Sequence, residues 1–267
     1  MGARWAKKKA LLFVLCNTVK RYRAILFDLF GTLALFRQEK LPVFEWRGKT
    51  TRSTLGQLRA VVEQQLPNIL FADFFAAFTA VSAELHELRS RNMREIASAQ
   101  RFALILARLG VDDSHETQQI AETLSLAHME LLANATDVPE SHLSLLEGIQ
   151  QEYRVAVVSN FDHAPTARHI LLRDGVAVYL QHIIISHEHG WRKPHPRIFV
   201  DTLALLDVAP DEALFVGDSP HDDIRGAQGV GMDIAWINAA NVILPKEIPP
   251  PTYVVRELAE LRQVLFS

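Results

Sequence analysis

Three short apolar runs along the chain each end in polar groups, and this pattern predicts strands of a parallel β-sheet. The runs cover residues 24–27, 155–158 and 213–216, and they end at Asp28, at Ser159 and Asn160, and at Gly217 and Asp218. Their length is too short for a core helix, and their continuous apolar character indicates strands that are buried on both faces. The carboxyl ends of such strands form the crevice in which α/β sheets bind ligands, so we expect Asp28 to lie at a site.

Helical and strand patterns alternate from residue 141 onward. The predicted helices cover residues 141–152, 165–173, 196–206 and 222–229. The predicted strands cover residues 154–159, 177–185, 213–217 and 233–237, and a short strand at 253–255 precedes a closing helix. This alternation predicts an α/β fold whose core is a doubly wound, Rossmann-like parallel sheet.

Between the first strand and the alternating region, the pattern changes to long amphipathic helices. Apolar residues recur at spacings of three and four over residues 54–65, 71–91, 97–109 and 115–133. We therefore predict a helical unit over residues 37–137, inserted into an α/β core formed by residues 23–36 and 138–267. A segment inserted directly after the strand that carries Asp28 must emerge at the ligand crevice.

Residues 1–22 are predicted to form a basic N-terminal extension. Lysines and arginines, without any acid, surround a short apolar run at residues 10–16. The arrangement is similar to the start of a signal peptide, but no small-x-small cleavage site follows the run. We expect an additional strand or a loosely held extension, and no later segment reaches transmembrane length.

Composition narrows the partner and the compartment. The formal net charge of −3 argues against nucleic acid as the main partner, because binding phosphates requires a basic face. The single cysteine excludes an internal disulfide and a cysteine-based zinc site, and it suits a reducing cytoplasm. We predict a cytoplasmic protein that acts on a small molecule, with neither nucleic acid nor a membrane as its partner.

Four segments, in this order and spacing, resemble the four motifs of the haloacid dehalogenase (HAD) superfamily of hydrolases. They are AILFDLFGTL at residues 24–33, VAVVSNFD at 155–162, GWRKPHPRIF at 190–199 and ALFVGDSPHDDIRGA at 213–227. The resemblance covers the chain from about residue 24 to the C-terminus. It implies that the helical insertion is a cap that closes over a catalytic aspartate.

The resemblance assigns the catalytic roles to Asp28 and Lys193. Asp28 would be the nucleophile, since a carboxylate can attack carbon or phosphorus to give an intermediate that water hydrolyses. Lys193 would keep Asp28 ionised and offset the charge of the transition state, so we expect it to lower the pKa of Asp28. The side chain of the neighbouring Arg192 should then point away from the site.

Short polar side chains at the strand ends are the predicted substrate contacts. Thr32, Ser159 and Asn160 can donate hydrogen bonds to the oxygens of a phosphoryl group or of a carboxylate. The alternative is ordinary turn chemistry, since Ser and Asn often end strands. This alternative applies most to Asn160.

The resemblance also implies a Mg²⁺ site between the first and fourth motifs. Its ligands would be Asp28, the backbone carbonyl of Phe30 and Asp218, with Asp223 orienting these groups or binding through water. Carboxylate and carbonyl oxygens suit Mg²⁺, which keeps several waters. Asp222 is the alternative to Asp223, and both acids also lie where the positive end of a helix favours negative charge.

Phe30 departs from the phosphatase pattern. HAD phosphatases usually carry a second aspartate two residues after the nucleophile, and it protonates the leaving group and then activates water. Haloacid dehalogenases show an aromatic residue at this position and need no metal. The Gly217-Asp218-Ser219 segment, in contrast, resembles the phosphatase version of the fourth motif.

Three functions therefore remain open. The first is Mg²⁺-dependent hydrolysis of a small phosphomonoester through a phospho-aspartate, the second is metal-independent 2-haloacid dehalogenation, and the third is ligand or protein binding without turnover. We favour the first, because a metal-binding carboxylate has no use in dehalogenation. Specificity would come from the cap, where Arg47, Arg52 and Arg59 are possible anion contacts.

Three histidines offer weaker hypotheses. His187 and His189 would share one face of an extended segment, so a metal site is conceivable there, although a structural role is favoured. His221 lies between the acids of the fourth motif and could transfer a proton, although a surface position is favoured.

Overall fold

The computed structural model of the chain describes residues 22–266, and its centre is a six-stranded parallel sheet. The strands are β1 (Ala24–Phe27), β2 (Leu35–Phe36), β3 (Val43–Trp46), β4 (Lys49–Arg52), β5 (Thr136–Asp137), β6 (Arg154–Ser159), β7 (His182–Ile185), β8 (Ala213–Gly217), β9 (Asp233–Ile237) and β10 (Tyr253–Val255). The sheet has the order β10-β9-β8-β1-β6-β7, and each neighbouring pair is parallel. The predicted doubly wound α/β fold is confirmed, and β1 is one of its two central strands.

The helices before and between the strands largely follow the apolar periodicity. They are α1 (Leu55–Gln65), α2 (Phe71–Asn92), α3 (Ser98–Arg108), α4 (His115–Asn134), α5 (Glu140–Ile149), α6 (Ala164–Arg173), α7 (Ser186–His189), α8 (Pro196–Leu206), α9 (Arg225–Gly229) and α10 (Leu261–Phe266). The bounds of α1 to α4 lie within one residue of the predicted bounds. Long segments with a clear apolar stripe are the ones that the sequence locates best.

Three elements of the core differ from their predicted bounds by more than one residue. Helix α5, predicted to extend to residue 152, ends at Ile149. Residues 177–185 do not form one strand, because a 3₁₀ turn at Ala177–Tyr179 precedes β7. The helix predicted at residues 222–229 begins earlier, with a π-helical turn at Pro220–Ile224 that leads into α9. Proline fits the start of a helix, where the backbone N–H has no partner within the helix.

The sequence pattern did not predict the antiparallel hairpin of β3 and β4, which precedes α1. Arg47 and Gly48 form its two-residue turn, with φ angles of 49° and 74°. Positive φ at both central residues is typical of the tight turns that match the twist of two paired strands. Gly48, followed by Thr50 and Thr51 with their β-branched side chains, was the available signal.

Apolar side chains cover both faces of the sheet. Phe27 of β1 belongs to the cluster that includes Ile170 of α6 on one face. Leu26 belongs to the cluster that includes Phe199 of α8 on the other face. Because successive side chains of a strand point to opposite faces, a fully apolar strand such as β1 requires helices on both sides.

Helices α1 to α4 and the β3–β4 hairpin share a third apolar core. Its buried side chains include Phe44, Leu58, Phe74, Phe102 and Leu124. The short antiparallel pair of β2 and β5 lies where the chain leaves the sheet and returns to it. We propose that these helices are the predicted cap, with residues 37–137 as its bounds.

The predicted basic extension falls almost entirely on residues 1–21, which lie outside the described residues. The description begins at Tyr22, which is buried and donates a hydrogen bond from its hydroxyl to Asp233 at 2.6 Å. Among the helices of residues 22–266, none is both long enough and apolar enough to cross a membrane.

His128 of α4 is largely enclosed by the apolar core that α1 to α4 share. Its ring lies against Phe78 and Phe102, and Nδ1 and the hydroxyl of Thr54 form a hydrogen bond of 2.8 Å. Burial, with a further contribution from Arg101, lowers the pKa of His128 from 6.5 to about 4. The unfolded chain therefore binds a proton at a higher pH than the folded protein does.

This difference predicts a pH-dependent stability that a single substitution removes. The contribution of His128 is complete above pH 6.5 and is lost as the pH falls toward 4, at about 1.4 kcal/mol per pH unit. In urea unfolding at several pH values, His128→Gln should show a shallower loss of stability below pH 6.5 than the wild type. His115→Gln, at the exposed start of the same helix, should keep the wild-type slope; equal slopes in all three proteins would contradict the prediction.

Candidate functional site

Asp28 lies at the carboxyl edge of the sheet, directly after β1. Its backbone N–H donates to the carbonyl of Val216 in β8 at 2.9 Å. Ser159 ends β6 and Gly217 ends β8, and these two strands flank β1. Three of the four motifs therefore meet around Asp28, which is only 7% exposed.

Lys193 contacts two carboxylates at once. Its Nζ lies 2.6 Å from Oδ1 of Asp28 and 2.7 Å from Oδ1 of Asp223. Burial by itself lowers the pKa of the Lys193 ammonium, but the charges of Asp223 and Asp28 outweigh burial and raise that pKa. Lys193 is therefore charged, and it fixes the positions of both acids.

Asn160 holds the loop that carries Lys193. Its Oδ1 accepts from the Lys193 N–H at 2.8 Å, and its Nδ2 donates to the Lys193 carbonyl at 2.9 Å and to Asp222 at 3.2 Å. The Lys193–Pro194 peptide bond is cis. Both ends of the amide are occupied, so we propose that Asn160 positions Lys193, in place of the substrate contact expected from the sequence.

The absence of a side chain at Gly217 makes room for Asp223. This residue is fully buried, and the N–H of Ser219 donates to its Oδ2 at 2.9 Å. A Cβ atom at Gly217 would lie 2.3 Å from that oxygen, so a larger residue would displace the carboxylate. The hydroxyl of Ser219 also accepts from the N–H of Asp222 at 3.2 Å and starts the helical turn.

Three carboxylates converge beside Lys193. Oxygen atoms of Asp28, Asp218 and Asp223 lie within 4.8 Å of one another. Gly31 has a φ of 87°, and a Cβ atom there would lie 2.3 Å from Oδ2 of Asp218, so the first and fourth motifs are in close contact. Three acids against one ammonium leave an excess of negative charge in a largely buried space, and hard oxygen donors of this kind fit Mg²⁺.

The contacts divide the acids of the fourth motif by role. Lys193 and the backbone N–H of Ser219 already bind the two oxygens of Asp223, which suits an orienting group better than a direct ligand. Asp222 lies outside the converging trio and contacts Asn160. Asp28 and Asp218 are therefore the better direct ligands, and the carbonyl of Phe30 stays a prediction.

Burial and the crowding of like charges raise the pKa values of Asp28 and Asp218. Burial raises the pKa of Asp28, and the lowering by Lys193 does not compensate for it. The expectation that the pKa of Asp28 falls was therefore wrong, because it considered the nearby cation and not the burial. Partial burial of its carboxyl group, followed by the charge of Asp223, also raises the pKa of Asp218. Asp218 is more exposed than Asp28, so water screens part of the repulsion.

Two buried hydroxyl groups lie among the motif residues without a protein partner. Within residues 22–266, Oγ1 of Thr32 and Oγ of Ser159 form no hydrogen bond, although these residues are 1% and 0% exposed. A buried hydroxyl without a partner costs free energy unless water or a ligand binds it. Thr32 and Ser159 therefore stay the predicted substrate contacts.

Phe30 forms an apolar wall of the site. Its ring centroid lies 4.6 Å from that of Phe161, and the side chain packs against the core of the sheet. Phe30 also lines a cavity of about 190 Å³ together with Asp28, Lys193 and Asp218. The position where HAD phosphatases usually carry a second aspartate is thus filled by a ring that can neither donate nor accept a proton.

The connection between α2 and α3 contacts the core immediately before Lys193. The carbonyl of Met93 accepts from the N–H of Arg192 at 2.8 Å, and the N–H of Glu95 donates to the carbonyl of Gly190 at 3.1 Å. The loop that carries Lys193 is therefore bound to the helical insertion on one side and to Asn160 on the other.

The side chain of Glu95 anchors this contact. It is 1% exposed, forms an ion pair with Arg192, lies 3.2 Å from Arg89 and accepts from the hydroxyl of Ser186. Arg192 thus contacts Glu95 of the insertion, while Lys193 contacts the acids of the core. The two neighbouring cations have different partners, and both residues line the cavity at Asp28.

Arg89 extends the same ionic network to the second motif. Its Nη2 lies 3.2 Å from Oδ2 of Asp162 and donates to the carbonyl of Ile96 at 2.7 Å. The carbonyl of Asp162 accepts from the N–H of Ser98 at 2.9 Å. Sequence reasoning missed Arg89, Glu95 and Asp162, and only the position of Asp162, two residues after Asn160, was a signal.

The arginines that the sequence suggested as anion contacts lie elsewhere. Arg47 forms part of the hairpin turn. Arg52 donates a hydrogen bond to the carbonyl of Leu41, and Arg59 forms an ion pair with Glu63. In the described part of the chain, none of the three lines the cavities next to Asp28, and the arginine of the insertion that does so is Arg89.

The suggested histidine site is not formed. His187 and His189 lie on the short helix α7, so the argument from an extended segment was wrong. His187 stacks on His163, and Nε2 of His189 lies 3.0 Å from Asp201. Neither belongs to a cluster of metal-ligand atoms among residues 22–266.

Comparison with known proteins agrees with the motifs. A family model described as haloacid dehalogenase-like hydrolase matches residues 22–231. The chain is 27% identical over 251 residues to glyceraldehyde 3-phosphate phosphatase of Pyrococcus furiosus, which covers 92% of this chain and 94% of that protein. It is also 27% identical to the putative HAD-hydrolase YfnB of Bacillus subtilis, with 92% of this chain and 97% of that protein covered.

Solved structures share the architecture. The structure of YfnB, described as bound to magnesium, matches with a TM-score of 0.61 at 24% identity and covers 92% of this chain and 99% of that chain. A 2-haloacid dehalogenase from Pseudomonas syringae pv. Tomato DC3000 matches with a TM-score of 0.70 at 21% identity, covering 91% and 98%. At these identities, the likeness establishes the fold.

The buried network around Glu95 predicts an unequal effect of two charge-removing variants. Glu95→Gln leaves Arg192 and Arg89 without their buried partner, and we expect the free energy of unfolding to fall by about 3 kcal/mol. Glu84→Gln removes an exposed partner of Arg108 at 2.7 Å and should have a much smaller effect. Urea unfolding measures both variants, and losses of equal size would contradict a structural role for Glu95.

Proposed function

The chain belongs to the haloacid dehalogenase-like hydrolase family, and on that premise we propose that it hydrolyses a small phosphomonoester with Mg²⁺ as its cofactor. The observation that carries this proposal is the trio of Asp28, Asp218 and Asp223 beside Lys193, with carboxylate oxygens within 4.8 Å of one another. The excess of negative charge from these carboxylates disfavours the binding of an anionic substrate such as a phosphomonoester unless a cation balances it. A divalent metal would supply that balance.

The relatives support the same choice. One relative that aligns over most of the chain is named as a phosphatase, and the structure of another is described as bound to magnesium. The shared family and the converging acids are our reasons for extending a phosphatase activity and a magnesium site to this chain.

In the proposed reaction, an oxygen of Asp28 attacks the phosphorus while the bond from phosphorus to the alcohol oxygen breaks. The leaving oxygen takes a proton from water. A second water then attacks the phosphorus of the phospho-aspartate, which releases phosphate and a proton and restores the carboxylate of Asp28. Bound Mg²⁺, held by Asp28, Asp218 and the carbonyl of Phe30, would offset the negative charge of the phosphoryl oxygens.

The other residues of the site would orient these groups. Lys193 keeps Asp28 aligned and places a positive charge next to the phosphoryl group. The hydroxyls of Thr32 and Ser159 would donate hydrogen bonds to its oxygens. Asp223 would hold Lys193 in place, because it shares the ammonium with Asp28.

Phe30 favours metal-independent 2-haloacid dehalogenation as the second candidate. A halide leaves without a proton, so this reaction does not need the acid that Phe30 replaces. The acids of the fourth motif argue against this candidate, because carbon–halogen displacement has no role for Asp218. The third interpretation, binding without turnover, disagrees with membership in a family of hydrolases.

The proposals for the substrate and for the compartment rest on different observations. A small-molecule substrate agrees with the family and with the size of the cavity at Asp28. A cytoplasmic location is part of the proposal and is based on the single cysteine of the chain.

Two release assays distinguish the candidates. With p-nitrophenyl phosphate, we expect phosphate release that EDTA abolishes and added Mg²⁺ restores, and we expect no chloride release from 2-chloropropionate. Asp28→Asn should remove phosphate release, whereas Asp211→Asn, a change at an exposed aspartate, should not. Chloride release that persists in EDTA would identify a dehalogenase, and turnover by Asp28→Asn would exclude Asp28 as the nucleophile.

Replacing Phe30 with aspartate tests the missing proton donor. Phe30→Asp should raise kcat for an alkyl phosphate by about a hundredfold, with a much smaller gain for an aryl phosphate, whose leaving group needs no proton. Asparagine is similar in size to aspartate but has no transferable proton, so Phe30→Asn should show no such gain. An equal increase in both variants would mean that space at the site, and not proton transfer, limits the wild-type enzyme.

A further inference from the structure

A second cavity adjoins the cavity at Asp28. Its volume is about 510 Å³, and its lining includes Arg192, Lys193, Ser219 and Asp222, which also line the smaller cavity. The end of α2 and the start of α9 contribute its other walls. A phosphomonoester with its phosphoryl group at Asp28 would therefore extend its alcohol portion into this larger space, whose volume is typical of a small-ligand site.

Four cations line the larger cavity, and three of them already have acidic partners. Lys193 is bound by the acids of the catalytic site. Arg89 and Arg192 both pair with the buried Glu95. Arg89 also lies 3.2 Å from Asp162, so each of these two arginines is already engaged by a carboxylate and is a poorer anchor for a further anion than an arginine without an acidic partner.

Arg225 is the exception among these cations. It is the first residue of α9, its side chain is exposed, and no acid of residues 22–266 lies within ion-pair distance of it. The acid that lines the same cavity, Asp222, accepts a hydrogen bond from Asn160 at 3.2 Å. The wall of the cavity thus contains one arginine whose charge has no counterpart in the described part of the chain.

The rest of the lining suits a short and partly polar carbon chain. His86 and His221 are exposed imidazoles, which can donate or accept hydrogen bonds, and Ser90 adds a hydroxyl. Met93 and Pro194 provide apolar contact surface. The combination fits a hydroxylated leaving group that is charged at the end remote from the phosphoryl group.

We propose that the alcohol portion of the substrate carries a second anionic group, a carboxylate or a phosphate, and that Arg225 binds this group. The inference rests on the proposed phosphatase function and narrows its substrate class to doubly anionic phosphomonoesters. A guanidinium can bind either anion through two parallel hydrogen bonds, which gives direction as well as affinity.

Matched inhibitors test this proposal. Against hydrolysis of p-nitrophenyl phosphate, 3-phosphoglycerate should inhibit at least about tenfold more strongly than glycerol 3-phosphate, which has a hydroxymethyl group where the first compound has a carboxylate. A third compound, 1,3-propanediol bisphosphate, presents a second phosphate. The stronger of the two doubly anionic compounds identifies which anion the cavity prefers.

Variants at Arg225 assign the preference to this residue. In Arg225→Gln, the ratio of the inhibition constants of the charged and neutral compounds should fall to about one, and Arg225→Lys should keep part of it. Arg256→Gln removes an exposed arginine that does not line the cavity, and it should keep both the wild-type ratio and the wild-type activity. Equal inhibition in the wild type, or a preference that survives in Arg225→Gln, overturns the proposal.

Direct binding separates this proposal from the phosphatase function. Isothermal titration calorimetry with the Asp28→Asn variant, in which we expect no turnover, gives the ratio of the dissociation constants of the same compounds with Arg225 present or replaced by glutamine. If aryl phosphate is not hydrolysed but the ratio depends on Arg225, the phosphatase function is wrong and the binding site stands. If aryl phosphate is hydrolysed and the ratio is about one, the phosphatase function stands and the proposal for Arg225 is wrong.

Discussion

The ammonium of Lys193, shared between Asp28 and Asp223, is the interaction on which the rest of the site depends. Its Nζ lies 2.6 Å and 2.7 Å from the two carboxylates, and all three side chains are almost completely buried. Buried charges are expensive unless their geometry is well fixed, and loss of one partner leaves the others uncompensated. The structure provides that geometry through backbone features: Gly217 makes room for Asp223, and Asn160 binds both the N–H and the carbonyl of Lys193.

The helical insertion contributes to this geometry through its contact with the loop that carries Lys193. Glu95 pairs with Arg192, the residue before Lys193, and the backbone of the same connection bonds to residues 190 and 192. Any movement that separated the insertion from the core at this point would break a buried ionic network and two backbone hydrogen bonds. The insertion is therefore anchored beside Lys193, and opening of the cavity between the two parts would have to take place around this anchor.

The sequence predicted what depends on local pattern and failed where distant segments meet. The strand ends at Asp28, Ser159 and Gly217 follow from apolar runs, and their convergence follows from a parallel sheet. Glu95 and Arg192 are 97 residues apart, and neither lies in a distinctive pattern, so their pairing is visible only in the folded chain. The direction of the Asp28 pKa shift failed for a related reason, because the extent of burial outweighs a contact that the motif implied.

Phe30 is typical of dehalogenases and the acids of the fourth motif are typical of phosphatases, but the two are compatible if bond formation to phosphorus and departure of the leaving group are considered separately. The ring of Phe30 packs on Phe161 and forms an apolar side of the cavity at Asp28, and in the proposed phosphatase reaction such a wall would strengthen the attraction of Lys193 and of a bound cation for the phosphoryl group. That effect would favour attack on phosphorus. The same ring offers no proton to the departing oxygen, which would instead take its proton from water. In the proposed reaction, the acids would therefore act on the phosphoryl group and the aromatic wall on the surroundings of the leaving oxygen, so the two features would affect different parts of one reaction.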